Sequence, residues 1–537
     1  MLVDLYAAPY TAAALITTTV LALLYGRERK KTKRPHCRNV RLPGGEKCVV
    51  SGVALGLPGT RRRVFDPSNF AVLREGTNLL EKVDAAGVKA MLRRNVARLR
   101  KEHGKATRLP ITQENGIAVS ARLGVFDLCR DYGVPEPLVK TMGRATQLAV
   151  AAGLECMKDA GLIPSVDGQL PEHLRDTTGI IYATSFPALD AAIGEISKYG
   201  DPRRRPTSEL LDALAARVDP ENQDLQAALH LLRAKAQECQ KPYAFDRKFL
   251  FKVLCLANSQ LAQLVKARGP NLQTNAACAG TTQAVALAQD LIRAGRCDRV
   301  VVVSGDDASG DALMPWVGNG FAALGAASIA KDASSIARPF DKRRSGMVVG
   351  AGACGLVIER ASSVGARQPQ RRARCRVVES LVSNSAFHGA AMCAQHIASE
   401  LEAFLQLVER KHGIPRSAIA RGVYLSHETG THATPSSSCA HNEVQALRAC
   451  FGDDLNELRL VNTKALTGHP MAVGIEDAVA AYALSRNVSF PPKPPGCVAD
   501  PNLGLNLRFA DRRPARYALR FAAGFGSQVA FVLYASS

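Results

Sequence analysis

Residues 271–287 read NLQTNAACAGTTQAVAL, and the architecture turns on this stretch. An extended approach precedes Cys278, and an Ala-rich run follows in which Ala284, Leu287, Ala288 and Leu291 recur at helical spacing. Cys278 therefore stands where a helix begins, beside N–H groups that lack intrahelical partners. Such a terminus favours a thiolate and offers donors to an oxyanion. Position alone does not make a nucleophile. Free cysteine is among the most buried residue types and the chain has 14, so companions elsewhere must decide.

Working outward, β-type apolar runs fall at 47–57, 178–183, 299–304, 355–359, 375–382, 423–426, 458–462 and 529–534. Helical patterns at 146–159, 282–294, 396–410, 443–451 and 475–485 lie between most of them. Strands alternating with helices predict α/β architecture with mostly parallel sheets, in a body that starts near residue 45. Residues 198–241 are polar and charged, carry a helical stretch at 224–238, and read as an insertion.

The 537 residues, 47% of them hydrophobic, exceed one ordinary domain and suit two packed halves around a large core. The cysteines form no C-x-x-C pair, which argues against a zinc ribbon or a disulfide framework and for a reducing compartment. The net charge of +21, in clusters such as Arg61–Arg63, Arg203–Arg205, Arg343–Arg344 and Arg371–Arg372, implies acidic partners. With aromatics at 5% and no stacking motif or recognition module, nucleic acid is not expected among them. Leu5 to Tyr25 carries no charge over 21 residues, and a basic run, residues 27–34, follows at once. This predicts a transmembrane helix and a single-pass membrane anchor with the body on the cytosolic side; a plastid-type leader is the alternative.

Some motifs fail on context. Gly350, Gly352 and Gly355 match G-x-G-x-x-G but lead into a strand, Leu356–Glu359, where a dinucleotide site needs a helix. His427 and His432 stand five apart, not four, so they do not form a zinc-protease pair, and no metal is expected. What holds is a set in chain order: Cys278, then His427 after Val423–Ser426, then His469 in NTKALTGH, residues 462–469. Each histidine follows a strand, at the sheet edge where ligands converge in α/β proteins. Together with a cysteine at a helix start they fit nucleophilic thiol chemistry with paired N–H donors.

Residues 274–283, ARPFDKRR at 337–344, HETGT at 427–431, residues 462–469 and Gly524-Phe525-Gly526 occur in the order of the β-ketoacyl synthase motifs, and the chain resembles that family from about residue 46 to its end. The resemblance implies a thiolase-like fold: two pseudo-repeated halves, each with a five-stranded mixed sheet packed between helices, here split as 45–361 and 362–537 after a 1–44 anchor and linker. It also implies a homodimer. The activity implied is decarboxylative Claisen condensation in fatty-acid or polyketide elongation, an acyltransferase reaction. Cys278 would hold the acyl group as a thioester, and His427 and His469 would donate to the enolate formed from malonyl carrier. The N–H groups of Cys278 and Phe525 would bind the tetrahedral oxyanion, and Lys464 would tune the site. No cofactor is implied in the chain. Its substrates would ride on the phosphopantetheine of an acidic acyl carrier protein supplied in trans, because no attachment site, acyltransferase motif or reductase fingerprint is present.

The chain departs from the family pattern in places. Glu428 stands where the family has glycine, and Glu443 lies sixteen residues after His427 instead of eleven, so a loop is inserted. Ser345 and Ala351 replace residues that are commonly acidic, and Pro470 gives a thiolase-like Gly-His-Pro. The alternatives are accordingly a thiolase-type enzyme using coenzyme A esters, and a catalytically silent synthase-like subunit or membrane tether.

Overall fold

The computed structural model describes residues 47–102, 105–200, 208–239, 243–367, 375–431, 438–504 and 507–537. The first half supplies β1 (Cys48–Gly56), β2 (Thr178–Ala183), β3 (Asn271–Thr274), β4 (Arg299–Asp307) and β5 (Ala351–Arg360). The second supplies β6 (Cys375–Asn384), β7 (Val423–Leu425), β8 (Arg459–Val461), β9 (Arg508–Phe509), β10 (Tyr517–Gly524) and β11 (Gln528–Ser536).

In the first half β1, β5 and β4 pair antiparallel, then β4, β2 and β3 pair parallel. The second half repeats this arrangement: β6, β11 and β10 antiparallel, then β10, β7 and β8 parallel, with β9 added at the edge. Cys48–Val50 pairs antiparallel with Cys375–Val377, so the two mixed sheets join edge to edge as one ladder of eleven strands among the described residues. β1 and residues 299–306 of β4 are buried at every position, which explains their unbroken apolar runs in place of alternation.

Five helices build the layers: α1 (Arg144–Asp159), α2 (Gly280–Arg293), α3 (Ala394–His412), α4 (Cys439–Phe451) and α5 (Ile475–Arg486). α1 covers β1, β4 and β5, while α3 lies on β6 and β11 with α4 against it. α2 and α5 touch strands of both halves and form the middle layer. Residues 475–481 of α5 are buried without interruption, as a helix enclosed on all sides must be.

Three glycines let α1 lie close on its strands. A Cβ at Gly52, Gly305 or Gly355 would stand 2.2, 2.5 or 2.3 Å from the carbonyl oxygens of Cys156, Ala145 and Ala152 respectively. These neighbours are helix backbone and cannot swing aside. Gly355→Ala is therefore expected to destabilise the fold by ~1–3 kcal/mol, read as a lowered midpoint in thermal denaturation.

The expected transmembrane helix is corrected here. Among the described residues no helix is long and apolar enough to cross a membrane. The long helices instead carry polar residues on one face, as in α3, or are enclosed between sheets, as in α5. Residues 5–25, where the uncharged run suggested an anchor, lie outside the described residues, as do Arg203–Arg205 and Arg371–Arg372. The single-pass anchor and the membrane location that rested on it are withdrawn.

Candidate active site

β3 ends at Thr274, and the chain turns through a 3-10 segment, Ala277–Ala279, before α2 begins at Gly280. Ala277 sits at φ 47°, a left-handed conformation that costs a non-glycine residue energy and is found at strained functional turns. Asn275 steadies it, its Oδ1 accepting from Ala277 N at 3.1 Å. Across the turn, a Cβ on Gly524 would stand 2.5 Å from Ala276 O and 3.1 Å from Cys278 N, so the β10 end approaches the turn as only glycine permits. This brings the backbone around Phe525 next to Cys278. The Phe525 ring itself is 43% exposed and leans on Phe321 at 6.0 Å.

The second half delivers the histidines. His427 follows β7, and His469 follows a short helix, Lys464–Thr467, whose Gly468 adopts φ 63°. His469 N donates to Val348 O at 2.8 Å and its carbonyl accepts from Gly350 N at 3.2 Å, fixing the turn against β5. The two imidazoles meet edge to face with ring centres 5.9 Å apart. His427 Nδ1 and His469 Nε2 are buried without a hydrogen-bond partner among the described residues.

Hydrogen bonds clamp the two halves together at this point. Ala472 O accepts from Thr281 N at 3.1 Å, Gly474 N donates to Thr281 Oγ1 at 3.0 Å, and Thr282 Oγ1 donates to Asp477 Oδ2 at 2.9 Å. Met471 reaches both ways: its Sδ lies 3.7 Å from Cys278 Sγ, and its N donates to Asp306 Oδ2 at 2.5 Å.

Lys464 is the electrostatic centre. Its Nζ pairs with Glu476 Oε1 at 2.5 Å, and Arg520 Nη2 takes the other oxygen at 3.2 Å. Burial opposes ionisation of Glu476, but the two cations outweigh it and hold the carboxyl below its usual range. Burial followed by the Lys464 charge pushes His427 well below an ordinary imidazole and His469 down to about 3. Both rings are therefore neutral at neutral pH, each with one N–H to donate. At Cys278 burial dominates in the opposite sense and pushes the thiol up to about 12, with Lys464 pulling it back and Asp306 adding to the rise. The helix start was expected to leave a standing thiolate; desolvation wins instead, because the sulfur is enclosed before any helix N–H can answer a charge.

A cavity of about 10 Å³, room for about one water, lies beside His469 and Lys464, lined also by Arg338, Glu428, Thr429 and Asn462 among others. The ring contact and the reach of the Lys464 charge to Cys278, His427 and His469 bring these four together, and Gly524 sets the Phe525 backbone against the Cys278 turn. Glu476, Arg520, Asp306 and Met471 also belong to the site and were not singled out in the sequence. Arg520 sits inside an otherwise apolar strand, the only signal that a buried partner awaits it. His432 lies outside the described residues, and among those described no cluster of three His, Cys, Asp or Glu side chains is arranged to hold a metal.

Comparison with known proteins agrees with this layout. Residues 225–363 match the model of the β-ketoacyl synthase N-terminal domain. The chain is 24% identical over 436 residues to 3-oxoacyl-[acyl-carrier-protein] synthase 2 of Staphylococcus aureus, covering 80% of this chain and 92% of that protein. It is 27% identical over 401 residues to the tetracenomycin polyketide synthase ketoacyl synthase alpha subunit of Streptomyces glaucescens, covering 73% and 81%. The fold matches the ishigamide ketosynthase/chain length factor at TM-score 0.64 and 21% identity, over 92% of this chain and 100% of that one. It also matches the ketosynthase complex AntDE:AntF at TM-score 0.60 and 17% identity, with the same coverage. Repeated halves joined at a cysteine turn and a histidine pair, a β-ketoacyl synthase N-terminal domain model over residues 225–363 and relatives that span most of the chain make this chain similar to the β-ketoacyl synthases, which are condensing acyltransferases.

Proposed function

We propose that the chain condenses an acyl group held on Cys278 with malonyl carrier protein, by the following steps. The Cys278 sulfur attacks the carbonyl carbon of an acyl-carrier thioester; the carrier's C–S bond breaks, and the thiol proton passes to the departing carrier sulfur. That exchange is proton-neutral, so a thiol that rests protonated suffices. Malonyl carrier then loses carbon dioxide, leaving its electron pair as an enolate. Neutral His427 and His469 donate to the enolate oxygen without the charge penalty of an imidazolium beside Lys464. The enolate carbon attacks the acyl-Cys278 carbonyl, the N–H groups of Cys278 and Phe525 hold the oxyanion, and collapse expels the Cys278 thiolate. Taking up one proton restores the thiol.

The observation that carries this reading is the meeting of two neutral histidine rings, each with one buried nitrogen unpartnered among the described residues, with a Lys464 ammonium that acts on both rings and on the cysteine. The Staphylococcus relative is named for an acyl-carrier-protein substrate, and one structural neighbour holds a type II carrier protein on its ketosynthase. An acidic carrier suits the +21 charge of this chain. A homodimer is supported by β3, which ends the sheet with Asn271–Gln273 exposed, an unpaired edge next to the Cys278 turn.

The test is to incubate the full chain with acyl carrier and malonyl carrier and to follow carbon dioxide and β-ketoacyl product. No product at any chain length tried defeats the proposal. Acetoacetyl-CoA formed from acetyl-CoA alone would instead mark a thiolase-type enzyme. Failure of Cys278 to be trapped by cerulenin would mark a silent subunit.

A further inference from the structure

Beside the short helix Ala85–Leu92 lies a groove that the condensation steps leave unused. Its volume is about 920 Å³, within the range of small-molecule sites. One wall is the helix itself. Ala85, Val88, Lys89, Leu92 and Arg93 line the groove at spacings of three and four residues, which put them on one face. A helix ordinarily turns such a stripe to the core. Here Met91, off the stripe, makes that contact: it is buried in a cluster with Met314, Val317 and Phe321, and its carbonyl accepts from Asn319 Nδ2 at 2.9 Å. The helix is thereby anchored, while Val88 and Leu92 stay half-buried beside open space.

The opposite wall is the segment 113–118, with Lys331 laid across it. Ile117 is buried and carries the apolar floor into the Met91 cluster, on which Val83 and Val88 also pack. Lys331 Nζ donates to Gln113 O at 2.9 Å and to Gly116 O at 3.1 Å. An ammonium has three N–H donors, so the two carbonyls fix the group and leave one to spare. Lys89 and Arg93 are exposed and make no ion pair among the described residues. No described Asp or Glu lines the groove. The acidic neighbours are otherwise placed: Asp84 accepts from Gly87 N and pairs with Arg122, and Asp332 accepts from the Ser334 and Ser335 hydroxyls. Glu114, whose charge reaches Lys331, is exposed and off the lining.

We infer that this groove binds a long-chain fatty carboxylate, with its chain on Val83, Val88, Leu92 and Ile117 and its head among Lys89, Arg93 and Lys331. The charge pattern selects that occupant. A carboxylate takes charge-assisted hydrogen bonds from donors already fixed in place, and a single chain covers the apolar stripe that water otherwise meets. An uncharged chain would leave the three cations unanswered, and an organic cation would be repelled by them. Cys278, His427 and His469 are not among the lining residues, so this is a second site and not the condensation site.

Binding is read without turnover, so the inference stands or falls independently of the condensation reading. In equilibrium dialysis the full chain is expected to take up radiolabelled palmitate, below its micellar concentration, at a single site. Hexadecanol, the same chain without the charge, is expected to bind at least about tenfold more weakly, and Lys331→Met to weaken palmitate by about tenfold or more. Should Lys331→Met disturb the 113–118 segment, the double variant Lys89→Met/Arg93→Met, altered only at exposed positions, is held to the same outcome. A photoactivatable diazirine analogue of palmitate should mark peptides from 83–93 and 113–118. Equal affinity for palmitate and hexadecanol overturns the inference, as do variants that bind like the native chain or label found at the Cys278 turn instead. Sedimentation with phosphatidylglycerol vesicles in the absence of palmitate binding would give the face to a lipid surface. Self-association lost in Val88→Asp, again without palmitate binding, would give it to a second copy of the chain. Either result overturns the inference too.

Discussion

Cys278→Ala is expected to lower condensation by about 10⁴-fold or more while shifting stability by no more than ~1 kcal/mol. The two halves of that expectation separate catalyst from core. Cys278 is only partly buried, and its sulfur faces Met471 Sδ at 3.7 Å, so truncation leaves a small gap beside Met471. The covalent step has no substitute, since no other described cysteine shares this turn. Product formation from acyl and malonyl carriers, read beside a melting curve, checks both. A variant that keeps a tenth of the native rate would remove the acyl-enzyme from the mechanism. A variant that fails to fold would make Cys278 a structural residue, and Cys278→Ser would then be compared.

Glu476→Gln is expected to cost the most stability of any change at the site, ~3–5 kcal/mol, because it leaves buried cations without their counter-charge. Lys464 and Arg520 both terminate on Glu476, and all three side chains are at least nine-tenths buried. Asp477 offers Arg520 a longer contact at 3.5 Å, but is itself bound by Thr282 and Tyr534. The pH dependence has a definite sign. A carboxyl held below its usual range in the native state stabilises above its unfolded value, and that contribution is lost as pH falls. The native chain should therefore lose its advantage over Glu476→Gln as the solution is acidified below about pH 4. Chemical denaturation at neutral and acid pH measures the gap; an equal gap at both would mean that the charge of Glu476 contributes nothing. Freed from its counter-charge, Lys464 should also draw the Cys278 thiol downward. Alkylation of folded Glu476→Gln by a thiol reagent is then expected to run faster than in the native chain.

Much of the fold was legible because it is written locally. The fully buried strands β1 and β4 read as unbroken apolar runs, and α2 and α3 show helical spacing, so each element announces its period. β10 did not announce itself. Tyr517–Gly524 carries Arg520 at its centre, and a charged residue in a central strand is tolerable only once Glu476 and Asp477 arrive from α5. The uncharged run at 5–25 shows the opposite failure, since length and apolarity alone suggested a membrane span that the described structure does not supply.

The sequence by itself determined which groups are available to react: a cysteine at a strand-to-helix turn, two histidines after strands, a lysine five residues before the second, and glycines flanking Phe525. Those follow from residue order, because turn chemistry and periodicity act over a few residues. Only the tertiary structure decided their chemical state. Burial raised the Cys278 thiol and the Glu428 carboxyl and kept both imidazoles neutral. Protonation depends on the dielectric surroundings and on charges brought from distant segments, and neither exists until the two halves have closed on one another.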